Sequence, residues 1–184
     1  MHTQPNTHNH FTKNPPIDEQ IERMSRNFGS LMSICEEFGL TLAFENHADY
    51  RVTEVVAVVE NVAAPWLRIN FDTGNPIAVI EDPLEAARKA AKYTVMMHLK
   101  DQRIQPATGT GEPRVYWAPL GQGSVPIAEI LDVIAAGCPN PEEVAACLEV
   151  APPPEHDPHR WVRASLEWLL ANCGRHFAGV PALT

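Results

Sequence analysis

Glu45, Asp72, His98 and Glu149 each close a short apolar run, and each side chain is of a type that binds divalent cations. The runs are Thr41-Leu42-Ala43-Phe44-Glu45, Leu67-Arg68-Ile69-Asn70-Phe71-Asp72, Thr94-Val95-Met96-Met97-His98 and Val144-Ala145-Ala146-Cys147-Leu148-Glu149. With the two-residue period of a strand, each run divides into two faces. Leu42 and Phe44, then Leu67, Ile69 and Phe71, then Val95, Met97 and Leu99, then Val144, Ala146 and Leu148 make one face apolar throughout. The other face carries Thr41, Ala43 and Glu45; Arg68, Asn70 and Asp72; Thr94, Met96 and His98; Ala145, Cys147 and Glu149. All four candidate ligands fall on that second face, at the same end. If the strands are parallel neighbours, the four side chains converge.

The segments between the runs carry helical periodicity. Ile17, Ile21, Met24, Phe28, Leu31, Cys35 and Phe38 form a stripe that Gly39 ends. Val52, Val55, Val56, Val59 and Val62 form a second, stopped by Ala64-Pro65. Asp82-Pro83-Leu84-Glu85 joins an N-cap, a first-turn proline and an acid three residues after the cap, with Ala87 and Ala91 continuing the stripe. Pro126 opens a fourth helix bearing Ile127, Ile130, Leu131 and Ile134, and Asp157-Pro158 a fifth bearing Trp161, Ser165, Trp168 and Leu169. The order is a helix followed by four strand–helix units, which implies right-handed crossovers and a parallel sheet. Strands of an open doubly wound sheet are apolar on both faces; here Arg68 and Asn70 lie inside one strand. A polar face suits the interior of a (β/α) barrel, whose C-terminal rim collects catalytic groups. A full barrel takes about 250 residues, and the chain has 184. The expectation is an α/β fold of the parallel (β/α) barrel type, about half a barrel.

Five short motifs share an order and spacing with a known family: Glu45-Asn46-His47, Phe71-Asp72-Thr73-Gly74-Asn75-Pro76, His98-Leu99-Lys100-Asp101, Pro119-Leu120-Gly121-Gln122-Gly123 and Leu148-Glu149-Val150. The chain thereby resembles the sugar phosphate isomerase/epimerase family of xylose-isomerase-like TIM barrels. Relatives there include ketose 3-epimerases, inosose isomerases and dehydratases, and endonuclease IV. The resemblance runs from about Ile17 to Leu170 and implies the fourth helix through the eighth strand and helix of the family fold, without its first four strands. It implies that Glu45, Asp72, His98 and Glu149 hold one divalent metal ion. Three carboxylates and an imidazole favour Mn²⁺, Mg²⁺ or Co²⁺, with Zn²⁺ also compatible. It further implies that Glu45 and Glu149 are the catalytic acid/base pair. One glutamate removes the proton beside a substrate carbonyl, the metal stabilises the enediolate, and the other glutamate returns a proton.

Plainer roles stand beside these. A single acid at a strand end commonly caps the next helix or is solvated, and His98 between Met97 and Leu99 fits a buried, hydrogen-bonded histidine. His47 is either a substrate-side histidine, as the shared motif implies, or a surface loop residue. Lys100 has the inward parity of His98 and can reach a phosphate or hydroxyl at the barrel mouth, or it is a snorkelling surface lysine. Asp101 is a candidate to orient Lys100 or a ligand, and Arg103 to bind an anionic substrate group. Several epimerases of the family place histidine three residues after the metal-binding aspartate, where this chain has Asn75. Its amide can bond a substrate hydroxyl but does not titrate near neutral pH. The Gly-, Pro- and Thr-rich stretch from Gln102 to Val125 reads as a long structureless connection of lid or binding-loop type. Within it Gly121 and Gly123 allow a close backbone approach to a ligand, and Tyr116 and Trp117 either stack on a sugar or pin the loop.

A net charge of −9 with no clustered basic patch argues against nucleic-acid partners. The four cysteines lack metal-finger spacing, which suits reduced thiols in a cytoplasmic protein. No apolar segment is long enough to span a bilayer, and the N-terminus has no signal-peptide core. Residues 1–16, with His2, His8 and His10, read as loop or disordered, and residues 17–184 as one partial barrel. A lone half-barrel leaves two unpaired strand edges, so the expectation is either a homodimer or complementing half-barrel, or a truncated product of a longer gene. The functional expectation is an isomerase or epimerase of a sugar, sugar phosphate or cyclic polyol ketone. The alternatives are an inosose-type dehydratase using the same site, or a metal-binding fragment without catalysis.

Overall fold

The computed structural model describes residues 15–107, 109, 111–112 and 114–177, so residues 1–14 with their histidines lie outside the described residues. In chain order the elements are α1 (Ile17–Gly29), α2 (Met32–Phe38), β1 (Leu42–Glu45), α3 (Val52–Val62), β2 (Leu67–Asp72), α4 (Asn75–Ala78), α5 (Pro83–Ala90), β3 (Thr94–Leu99), β4 (Asp101–Gln105), β5 (Arg114–Ala118), α6 (Ile127–Gly137), β6 (Ala145–Leu148) and α7 (Pro158–Cys173). β1, β2, β3 and β6 form one sheet in that order, and every pair in it is parallel. This is the expected run of strand–helix units, an open segment of a (β/α) barrel.

The apolar strand face and the helical stripes meet in one core. Phe44, Leu67, Ile69, Phe71, Met97 and Leu99 are buried against Val52, Val55, Val58 and Val59 of α3, Ala86, Ala87 and Ala90 of α5, and Ile127, Ile130 and Ile134 of α6. Full burial of a side chain such as Ile69 stabilises by about 1.5–3 kcal/mol. The expected caps are present. Asp82 Oδ1 accepts from Glu85 N at 2.8 Å, and Asp157 Oδ1 accepts from His159 N at 2.9 Å. Gly39, at φ 61°, ends α2, a left-handed position that costs glycine little.

Two expectations change. The stripe from Ile17 to Phe38 is broken: α1 stops at Gly29 and α2 begins at Met32. Glycine is a poor helix interior residue, and Ser30 Oγ donates to Asn27 O at 2.7 Å, the kind of local bond that competes with helix continuation. The break carries Phe38 out of the stripe to 66% exposure, while Cys35 stays buried. The second change concerns residues 102–125. In place of a structureless connection, β4 and β5 form an antiparallel hairpin in which Asp101 pairs with Ala118 and Ile104 with Val115.

The return from that hairpin is organised by one carboxylate. Asp101 Oδ2 accepts from Gly121 N at 2.9 Å and Gly123 N at 2.8 Å, and Oδ1 from Val125 N at 3.1 Å. Asp101 therefore ties down protein backbone, where the sequence suggested that it orients Lys100 or a ligand. The two glycines are explained in the same way. A Cβ on Gly121 (φ 76°) would lie 2.1 Å from the Trp168 indole, and one on Gly123 would lie 2.0 Å from Asp101 Oδ1. Their close approach is to the protein's own side chains. Leu120 N donates to the buried Ser165 Oγ at 3.0 Å, fixing the same turn to α7. Asp101→Ala is expected to cost about 1–3 kcal/mol, because it strips the acceptor from three backbone N–H groups. Urea unfolding measures the loss, and limited proteolysis should show faster cutting around residues 119–125.

Candidate metal centre

Strand register explains how four distant residues meet. Glu45 pairs with Asn70, Asn70 with Met96 and Met96 with Ala145, so these share one hydrogen-bonded level on the inward face. Asp72 and His98 pair with each other one inward position further along, level with Cys147. Glu149 follows β6 one inward position beyond Cys147, its N–H bonded to Leu99 O at 3.0 Å. The four candidates thus climb along the strands from β1 to β6. In a barrel the strands tilt by about 36° to the axis, so residues at one height must climb in this way. As a result Glu45, Asp72, His98 and Glu149 each present a ligand atom within 4.8 Å of the others.

The surroundings hold this cluster in place. Asn46 clamps the Asp72 main chain from β1, with Oδ1 accepting from Asp72 N at 2.8 Å and Nδ2 donating to Asp72 O at 3.0 Å. Asp72 Oδ1 accepts from Gly74 N at 2.8 Å and Asn75 N at 2.7 Å. The His98 ring lies between acids: Nδ1 is 3.3 Å from Glu45 Oε1 and 3.2 Å from Glu149 Oε2. Its Nε2 is 3.1 Å from Asn70 Nδ2, which directs the ring proton to Nδ1 when the amide donates. Asn46, Asn70 and Thr73 were not singled out as site residues by the sequence. The signals were present in the Glu45-Asn46-His47 motif and in the inward parity of Asn70.

Lys100 and Asn75 belong to the cluster. Lys100 Nζ lies 2.9 Å from Asp72 Oδ2 and 3.0 Å from Glu149 Oε1, and it donates to Asn75 Oδ1 at 3.0 Å. Asn75 Nδ2 in turn donates to Glu45 Oε1 at 3.3 Å. His47 stands beside it with Nδ1 3.5 Å from Asp49 Oδ1; that hydrogen bond raises its pKa against the opposing effect of burial. Arg103 is set apart on the hairpin, where Nε and Nη2 donate to Gln122 O at 3.2 and 2.8 Å.

The donor set fits a divalent cation. Among the described residues, Asp72 Oδ2 and Glu149 Oε2 are buried carboxylate oxygens with no aligned hydrogen-bond donor, an arrangement that is costly unless positive charge faces it. Lys100 Nζ stands 2.9 Å from Asp72 Oδ2 as an ion pair, so one positive charge already faces that oxygen in the cation-free protein. Burial pushes the Asp72 pKa up to about 7, with Lys100 pulling it down and Glu149 pushing it up. Burial also raises Glu149, but Asp72, Lys100 and His98 together outweigh it and hold that carboxyl below its usual value. Glu149 is accordingly the readier of the pair to carry charge.

These features define a parallel (β/α) barrel segment with an acidic, imidazole-containing cluster at its C-terminal rim. Residues 2–172 match the xylose isomerase-like TIM barrel family, and the chain belongs to that family. Among curated proteins it is 30% identical over 116 residues to the uncharacterized protein YihM of Escherichia coli, a match taking in 62% of this chain and 35% of that protein. It is 29% identical over 93 residues to 3-oxo-isoapionate decarboxylase of Pectobacterium atrosepticum, covering 50% of this chain and 32% of that enzyme. The chain thus aligns with about a third of the length of these curated relatives. A xylose isomerase-like TIM barrel protein from Mycobacterium smegmatis in complex with magnesium superposes with a TM-score of 0.65 at 22% identity, over 88% of this chain and 52% of that one. The IOLI protein with a zinc atom gives 0.65 at 16% identity, over 88% and 59%. L-ribulose 3-epimerase gives 0.65 at 13%, over 90% and 59%. At these identities the structures share the fold.

The raised Asp72 pKa has a defined consequence for the cation-free protein. The folded state holds this proton more tightly than the unfolded chain, so stability is expected to fall as pH rises from 3.8 towards about 7. Thermal midpoints recorded across that interval in the presence of a chelator should show a shallower decline for Asp72→Asn than for the wild type.

Proposed function

We propose that this chain forms the metal-holding half of an isomerase or epimerase acting on a sugar, sugar phosphate or cyclic polyol ketone. The observation that carries the reading is the convergence of Glu45, Asp72, His98 and Glu149 within 4.8 Å, with two buried carboxylate oxygens lacking aligned donors. When bound there, a divalent cation (Mn²⁺, Mg²⁺, Co²⁺ or Zn²⁺) supplies positive charge that polarises a substrate carbonyl. Glu149, held charged and 37% exposed at its side chain, is placed to take the proton from the carbon beside that carbonyl. Glu45, 12% exposed and hydrogen-bonded by Asn75, would return a proton drawn from solvent to the other face or carbon, while the proton taken by Glu149 leaves to solvent. His47 and Asn75 offer polar groups to substrate hydroxyls beside this pair. Lys100 and Arg103 are the cations available to an anionic substrate, Arg103 from the hairpin.

A lyase reading shares every residue: the same proton removal can be followed by loss of a β-hydroxyl. Its support is the likeness to an enzyme named as a decarboxylase, a bond-cleaving rather than an isomerising activity. Incubation with Mn²⁺ in deuterated buffer separates the two. Deuterium incorporation into a ketose or inosose without loss of water supports isomerisation, and loss of water supports the lyase. Glu149→Gln is expected to slow exchange by about 10²–10⁴-fold, the usual contribution of a general base. Cation binding without exchange across such a panel would leave a metal-binding half-barrel as the function.

The same reading includes a partner. β1 and β6 flank the sheet with one neighbour each, and the inward face at their lower end opens on a cavity of about 500 Å³ lined by Thr41, Ala43, Arg68, Thr94, Met96 and Ala145. Exposed strand edges are liabilities that proteins blunt or cover, and a second half-barrel, from another copy, another chain or further residues of a longer chain, would cover both. Size-exclusion chromatography with light scattering should give a mass of at least twice 20.3 kDa for a self-complementing pair; a cooperative monomer would count against it. The acid excess disfavours nucleic acid as a partner. The four cysteines are free thiols, in keeping with a reducing compartment such as the cytoplasm. No helix among the described residues is long and apolar enough to cross a membrane.

A further inference from the structure

Lys100 is built into the centre more firmly than a substrate-binding lysine needs to be. Its side chain is 4% exposed. Its main chain is clamped to the neighbouring strand end: Thr73 Oγ1 donates to Lys100 O at 2.7 Å and accepts from Lys100 N at 2.9 Å. Its stem lies on the backbone of Gly74, where a Cβ would come 2.7 Å from Lys100 Cγ and 2.8 Å from Cδ. Gly74 has ordinary helical dihedrals, with φ −98° and ψ −29°, so it is the room for this stem that requires glycine. The ammonium points inward to Asp72, Glu149 and Asn75, and the Trp117 ring covers it with its centroid 4.7 Å away.

We propose that Lys100 is a resident cation of the centre, which shares Asp72 Oδ2 and Glu149 with the bound metal ion and thereby sets how tightly, and at what valence, a metal is held. The inference rests on the metal-centre reading above. Asp72 has one oxygen to offer, because Oδ1 is committed to the N–H groups of Gly74 and Asn75. The remaining Oδ2 is the atom that Lys100 contacts. A metal ion drawn to Asp72 must therefore accept the ammonium as a close neighbour or displace it. Charge leads to the same conclusion. Glu45, Asp72 and Glu149 carry three negative charges and Lys100 one positive, which leaves two, the charge that a divalent ion neutralises. Without the ammonium the balance would suit a trivalent ion. Before metal arrives, the same ammonium keeps the carboxylates from repelling one another.

The test is calorimetric titration with Mn²⁺ and with Tb³⁺ at pH 8, on the wild type, Lys100→Met, Gly74→Ala and Asp72→Asn. Lys100→Met is expected to bind Mn²⁺ at least tenfold more tightly and to gain more for Tb³⁺ than for Mn²⁺, while its metal-free form melts at a lower temperature. Gly74→Ala keeps the charge but pushes the stem aside, so it should gain in the same direction by less. It also decides the question if Lys100→Met fails to fold. Equal or weaker binding of Mn²⁺ by natively folded variants, with the wild type binding and Asp72→Asn not, overturns the role of Lys100 alone. Absence of binding by the wild type and every variant overturns the metal-centre reading with it.

Discussion

The main chain of Asp72 is where three strands are fastened to one another. Asn46 bonds its N–H and its carbonyl from β1. Thr73 beside it reaches β3 through His98 O and through both polar groups of the Lys100 backbone. The Asp72 carboxylate closes the turn into α4 on two further N–H groups. Strand ends usually fray because their last polar groups have no ladder to join. Here a side-chain amide and a hydroxyl extend the ladder past the sheet, and the candidate ligands project from a rim that is already cross-bonded. A cation site needs that stiffness, because carboxylates free to swing apart would do so through their mutual repulsion.

Beneath this rim the structure spends its apolar material on one side. The helix-facing surface of the sheet is filled by Ile69, Phe71, Met97 and the valines of α3, while the inward surface holds Arg68, Asn70 and Thr94. Arg68 turns its guanidinium back to Ala64 O and Leu67 O, at 3.1 and 3.0 Å, so it satisfies itself within its own strand–loop unit. The apolar core and the candidate ligands thus lie on opposite faces of the same four strands.

Much of this was legible in the sequence, and the reason is periodicity. Two-residue alternation placed Glu45, Asp72, His98 and Glu149 on one face before any register was known, and the capping signals at Asp82 and Asp157 marked helix starts that the structure contains. The failures have physical causes. The break after Gly29 interrupts a stripe whose apolar spacing continues unchanged, so periodicity alone could not see it. The β4–β5 hairpin has Pro106 directly after β4 and little alternation in Gln102-Arg103-Ile104-Gln105, which masks the strand pair in the sequence. Gly121 and Gly123 looked like ligand-approach residues, because sequence cannot tell a substrate from the neighbouring Trp168 or Asp101 side chain. Lys100 was placed on the right face, but its inward aim depends on the room left by Gly74, which only coordinates reveal.

The contact between Gly121 and Trp168, with Leu120 bonded to Ser165, ties the last helix to the turn that follows the hairpin. The hairpin carries Trp117, and Trp117 covers the ammonium of Lys100. An element that holds none of the candidate ligands is therefore linked to the surroundings of Lys100 through two short contacts. Deleting α7 would do more than expose apolar surface: it would also free the turn that follows the hairpin carrying Trp117. The C-terminal helix is thus a brace for the hairpin's return as well as a wall of the core.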